Sequence, residues 1–134
     1  MSKSKVVTLQ GVPIYNEHGV AAAAITPGML VQGVTSLTPH STASGTAART
    51  FALERDEMGD GIEVPYKIGD VVKVGSFAPG DVVNALVASG AAIAAGSFLE
   101  SAGDGTLKVG TTKPVARAVE TQAAGSLRLA AEIF

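Results

Sequence analysis

The chain of 134 residues contains no cysteine and no tryptophan, and aromatic residues make up only 4% of it. Without cysteine there are no disulfides, no thiolate zinc site and no thiol catalysis. Few aromatics mean that large rings cannot build the core, so close packing of small side chains must do more of it. Charge is also scarce, at 16% of residues against about 25% in a typical globular protein. The net charge of −2 and pI near 5.6 come without any dense basic run. That excludes a nucleic-acid partner, which needs a Lys/Arg face to displace counterions. No apolar stretch approaches the roughly 18 residues of a membrane helix, so no membrane partner is expected. The start, MSKSKVVTLQG, is basic but lacks the apolar segment of a secretory signal.

What the sequence does hold is Ala (22), Gly (16), Val (16) and Thr (11). Val and Thr are β-branched and suit a pleated surface. Gly and Pro recur every 8–15 residues through most of the chain, the spacing of short strands joined by turns. The fold class is therefore all-β or mainly β. The expected architecture is a compact small barrel or β-clip (β-tulip-like) domain with at most one or two short helices. Strands are expected at 6–9, 29–35, 51–53, 70–74, 81–88, 107–109, 115–120 and 127–134. The last alternates, with Leu127, Leu129 and Ile133 on one face and Arg128 and Glu132 on the other. Ala21–Ala24 fits either a helical turn or a small-residue strand. Residues 35–46 read as a loop exposed for function, and residues 56–63 as an acidic turn. Residues 1–12 read as an extended N-terminal arm and 13–134 as a single β-rich domain.

One local pattern occurs four times: an apolar residue, one or two small residues, a glycine, one residue, then Val, Leu or Phe. It is built around Pro27-Gly28, Gly69, Pro79-Gly80 and Gly96. Pro-Gly fits the centre of a type II turn, where Pro sets φ and Gly supplies its positive value. Asp70 and Asp81 follow turn glycines and are expected to bond nearby backbone N–H groups. Asp104-Gly105 reads as a hairpin turn between Leu99 and Leu107. Gly28 is followed by Ala52-Leu53-Glu54 and Gly96 by Ala118-Val119-Glu120 at nearly equal spacing, which suggests an internal pseudo-repeat.

Chemistry is poorly supplied. His18 and His40 sit in polar, Gly- or Ser-rich surroundings, suited to surface or loop-tethering roles, and a metal would need a third ligand of defined geometry. The acidic residues Asp56, Glu57, Asp60 and Glu63 lack the order of a calcium loop and read as a solvated turn. There is no G-x-S-x-G elbow and no phosphate-binding G-K-[ST]. No enzyme activity, cofactor or metal is expected. Mean hydropathy is nevertheless positive, at +0.32. Surplus Val, Ala and Leu surface is expected to be buried against copies of the chain or a partner.

A succession of small motifs carries a resemblance. Phe51-Ala52-Leu53-Glu54, Gly61-Ile62, Tyr66 and Gly69-Asp70-Val71-Val72 are followed by Gly80-Asp81-Val82-Val83-Asn84-Ala85-Leu86. Gly96-Ser97-Phe98-Leu99-Glu100-Ser101, Gly103-Asp104-Gly105 and Val115-Ala116-Arg117-Ala118-Val119-Glu120 complete the series. Over about residues 20–134 this order resembles the capsid decoration, or cement, proteins of tailed bacteriophages. The resemblance implies a virion protein made in the host cytoplasm, commonly trimeric, on the outer capsid surface, where it clamps neighbouring major capsid subunits. The capsid-contact candidates are the arm residues Ser2, Lys3, Ser4, Lys5, Val6, Val7, Thr8, Leu9 and Gln10, and Thr38, Pro39 and His40 in the polar loop. The arm could add a strand to a capsid sheet edge. The other reading the sequence allows is a free-standing β-clip module that binds a small molecule or glycan. Such a module wants an aromatic platform in a pocket.

Overall fold

The computed structural model describes residues 6–17, 19–55, 61–88, 92–125 and 127–134. Twelve strands form three sheets, and there is no helix among the described residues. The strands are β1 (Thr8–Gln10), β2 (Ile14–Asn16), β3 (Val20–Ala21), β4 (Val31–Gln32), β5 (Ser36–Pro39) and β6 (Thr50–Ala52). They continue with β7 (Val74–Ser76), β8 (Val82–Leu86), β9 (Phe98–Ser101), β10 (Leu107–Val109), β11 (Ala116–Ala118) and β12 (Arg128–Ile133). The largest sheet has the order β1-β8-β12-β11-β9-β10, with every ladder antiparallel. The second is β2-β7-β6, also antiparallel. In the third, β3-β5-β4, β3 runs parallel to β5.

The alternation of β12 sets the main core. Leu129, Ala131 and Ile133 point inward opposite Ala85 and Val83 of β8 and Ala116 and Ala118 of β11. They meet Leu30, Phe51, Leu99 and Leu107 in one cluster. The facing residues on the flanking strands β8 and β11 are alanine or valine, so the ribbon packs closely where aromatic bulk is missing. Phe51 and Phe77 stack edge to face in this core, with ring centroids 5.9 Å apart. A second cluster gathers Ile25, Val31, Leu37, Tyr66 and Val72 between the smaller sheets. The Tyr66 hydroxyl is buried there and donates to Leu53 O at 2.6 Å, which removes the cost of an unpaired polar group.

The four repeated turns are one device used four times. Each glycine holds φ between +88° and +97°, the value that a type II turn demands at its third position. Each then grips a residue from a distant segment through two backbone bonds. Gly28 N–H donates to Ala52 O (2.8 Å) while Ala52 N–H donates to Met29 O (3.0 Å). The same pair of bonds joins Gly69 and Asp70 to Ala21, Gly80 and Asp81 to Ile133, and Gly96 and Ser97 to Ala118. Asp70 and Asp81 each accept the backbone N–H three residues earlier, at 2.8 and 2.9 Å. Two-residue bridges precede the turns, Ile25↔Tyr66 in one half and Ile93↔Gln122 in the other. The internal repeat is thus present in the backbone, with Gly28 holding Ala52 as Gly96 holds Ala118. A further turn glycine, Gly125 (φ 93°), follows Gln122 and escaped the sequence pattern because its leading residue is polar.

Some expectations change. The sheets are not closed into a barrel. A single parallel bridge, Val87↔Leu107, brings β10 back toward β8, but no ladder forms there. Residues 35–46 are not all loop, because Ser36–Pro39 is β5 and pairs on both sides. The strand expected at 29–35 shrinks to Val31–Gln32, since Gly33 (φ 98°) turns the chain directly into β5. The strand expected at 70–74 begins only at Val74, because the Gly69 clamp occupies the preceding residues. Within Ala21–Ala24 only Ala21 is in a strand.

Candidate contact surface

Ser2, Lys3, Ser4, Lys5 and His18 lie outside the described residues, as do Asp56, Glu57 and Asp60 of the acidic turn. The described part of the expected arm is anchored to the body. Val7 is fully buried in the main core, its carbonyl accepts Asn84 N–H at 2.7 Å, and Thr8–Gln10 form β1 against β8. The Val7 side chain fills the core, so it offers no exposed surface to a partner. Val6 stays half exposed and Thr8, Leu9 and Gln10 sit at the sheet margin. Strand addition by residues 8–10 would have to use the outer edge of β1, since the inner edge is already paired.

Thr38 and Pro39 lie in β5 and are partly buried. His40 is 4% exposed, so almost none of its side chain is at the surface. Its ring tethers a loop instead. Nε2 faces Thr46 O at 2.9 Å and Nδ1 faces Ser101 Oγ at 2.7 Å. A carbonyl only accepts, so Nε2 carries the hydrogen. Beside it, the buried Glu100 carboxylate accepts the Ser44 hydroxyl and the backbone N–H of Thr112 (2.9 Å) and Lys113 (3.3 Å). The Ser44 hydrogen bond, aided by those two N–H groups and by Lys108, holds the Glu100 carboxyl below its ordinary value, against the opposing effect of burial. Ser44 itself has φ +56°, which is uncommon outside glycine, and its N–H donates to Ser101 O. Nothing in the local alternation of Phe98-Leu99-Glu100-Ser101 marks Glu100 as an inward charge. Its role becomes visible only when β9 is placed beneath residues 41–46.

This pinned loop forms one wall of a cleft of about 400 Å³. Val74 and Ser76 of β7 and Thr50 of β6 make its floor, and Val31, Gln32, Val34 and Leu37 of the β4–β5 hairpin make the opposite wall. Thr46, Ala47 and Ala48 close one side and Asn16 and Gly19 the other. No residue of the lining is acidic, lysine or arginine, and its one ring is the His40 imidazole. Ile14 pairs with Ser76 and so lies on the same face as the floor, and it is largely exposed, as is Val34. No local pattern in the sequence marks this cleft, because its residues come from four separated segments of ordinary composition.

Two further places bring exposed apolar residues together. Ile68 projects from the Gly69 turn, next to Val20 and Val71, which bridge each other. On the outer face of the large sheet, Phe98 meets Phe134 edge to face at 5.2 Å, beside the Arg117–Glu132 ion pair. Among the described residues no group of three or more acidic or histidine side chains is placed to hold a metal ion.

No protein-family model and no curated protein matches the chain. Among solved structures, it is similar to the N base of the head fiber protein gp8.5 of bacteriophage phi29. The TM-score is 0.59 at 16% identity, and the match covers 92% of this chain and 93% of that one. At that identity the likeness is one of fold, and it extends over nearly the whole of both chains.

Proposed function

We propose that this chain is a structural virion protein of a phage. It binds the outer surface of the capsid as a homotrimer and ties adjacent major capsid subunits together. The observation that supports this most is the near full-length fold likeness to a phage head fiber base, together with the motif order in residues 51–120. Two features of the molecule fit the role. Its exposed side chains include large apolar residues such as Val12, Ile14, Val34 and Ile68, more than an isolated particle needs. Its most elaborate buried polar network serves to hold a loop of small residues in one shape, which lowers the ordering cost of an interface.

The mechanism is mass action. A protein that binds the assembled shell, and not its dissociated subunits, stabilises the shell in proportion to the logarithm of its free concentration over Kd. A trimer that contacts several subunits at once adds avidity without new contacts. The glycan reading is less well served. The cleft offers no Tyr or Phe for sugar stacking and its one ring, His40, is 4% exposed, Tyr15 lies under the Lys73 ammonium, and Phe98 packs on Phe134. Co-sedimentation with phage heads stripped of this protein tests the proposal. Saturable binding at a fixed ratio to the major capsid protein is expected. Retention of the protein in the supernatant at micromolar concentrations would refute it.

A further inference from the structure

We infer that Glu100 is a shared latch that couples two loops, residues 41–46 and residues 110–113, so that they order and open as one unit. This holds whatever the molecule binds. The two oxygens of the carboxylate are divided between the loops. Oε2 accepts the Ser44 hydroxyl from the first loop, and Oε1 accepts the Thr112 and Lys113 N–H groups (2.9 and 3.3 Å) from the second. On the neighbouring strand β10, Lys108 faces Glu100 in register and places its ammonium 3.8 Å from Oε2. Glu100 is only 3% exposed, so water does not replace a partner lost on either side unless a loop moves away.

Both loops close directly on that carboxylate. Ser44 holds φ at +56°, the one positive value outside glycine among the described residues, a conformation that persists only where the surroundings enforce it. Its N–H donates to Ser101 O (2.9 Å), and Gly45 N–H donates to Thr42 O (3.0 Å). On the other side, Gly110 N–H donates to Phe98 O (3.0 Å). A Cβ at Gly110 would lie 2.2 Å from Glu100 Cδ, so the backbone of the second loop rests against the carboxylate itself. Opening either loop lets water reach the carboxylate and removes what holds the other loop closed. Fixing either loop favours the closed form of the other by the same free energy. Thr42 and Ala43 on one loop and Thr111 and Lys113 on the other are exposed, so a contact that grips one loop from outside also fixes its neighbour.

Amide hydrogen exchange on the full chain, read residue by residue by NMR, tests the coupling. Ser44→Ala and Ser44→Gly both remove the hydroxyl, and glycine does so while accepting the positive φ. Each should speed exchange at the Thr112 and Lys113 amides by about fivefold or more. The Gly80 amide, which donates to Ile133 O, should keep its rate and so reports that the rest of the fold is intact. In the reverse direction, Gly110→Ala displaces the carboxylate from the second loop's side and should speed exchange at the Ser44 amide by a similar factor. Unchanged rates at Thr112 and Lys113 in the Ser44 variants overturn the inference. A response confined to one of those two variants also overturns it, because the cause is then backbone conformation and not the lost hydroxyl. Equal acceleration at Gly80 would mean general loosening, and an unaltered Ser44 amide in Gly110→Ala would mean that the loops open separately; either result overturns it too.

Discussion

Replacing Gly28 or Gly96 by alanine adds the same methyl group to the same kind of turn, yet the two should differ in cost. Both glycines have positive φ, +97° and +88°, where an L-residue costs roughly 1–2 kcal/mol. At Gly96 that is the whole effect, because an added Cβ meets nothing within 4 Å. At Gly28 the Cβ would lie 2.5 Å from Arg128 Nη1 and 3.0 Å from Asn84 O. The guanidinium would have to move, and with it the bond from Arg128 Nη2 to Ile62 O (2.9 Å). Burial already depresses the pKa of Arg128, so it has little alternative solvation. Crowding of this kind adds about 1–3 kcal/mol. Urea unfolding at fixed protein concentration, followed by circular dichroism, should place Gly28→Ala well below Gly96→Ala in midpoint, with equal slopes. Equal losses for the two would refute the close packing assigned to the Gly28 turn. A neutral Gly96→Ala would refute the conformational argument for all four turns.

Further expectations follow from single groups. His40→Ala removes two buried partners and opens a hole beneath the loop, and should cost about 2–4 kcal/mol; limited proteolysis should then cut within residues 41–48, which the wild type resists. The lowered pKa of Glu100 means that its contribution to stability is present above about pH 4.5, its ordinary value, and is lost as pH falls through the lower folded value. Glu100→Gln should be less stable at pH 7 and should lose less on acidification, as measured by urea midpoints at pH 7 and in the acid range. Phe51→Ala, at the centre of the main core, should cost about 3–5 kcal/mol. Arg117→Ala removes an exposed ion pair with Glu132 and should change the melting free energy by no more than about 0.5 kcal/mol, in a direct comparison of thermal melts.

Much of the fold was legible because the turns are local. Pro27-Gly28 and Pro79-Gly80 declare their geometry within four residues, and Leu107–Val109 and 128–133 show strand character on their own. The pairing of Gly28 with Ala52 was also hinted at, since Ala-apolar-Glu recurs after Gly96. What escaped detection depends on distant partners. β2 and β3 are short, and they become strands only by pairing with β7 and β5. β5 ends in a proline, a residue depleted in strands, and lies in a Ser/Thr-rich stretch that reads as loop; its partners are β3 and β4. The burial of His40 and Glu100 follows from a meeting of residues 40–46 with β9 some sixty positions away, and no local spacing encodes it. The burial of Val7 was hidden for the same reason, because its place in the core is made by β8 and Glu54.

The fold likeness, the tethered loop and the exposed apolar side chains support the proposal that this protein stabilises a phage shell. The most direct measurement is the melting temperature of phage heads lacking the protein, recorded as the purified chain is added back over a hundredfold concentration range. A rise that grows with the logarithm of concentration once the sites are filled is predicted, and heads that melt at one temperature throughout the range would contradict the account.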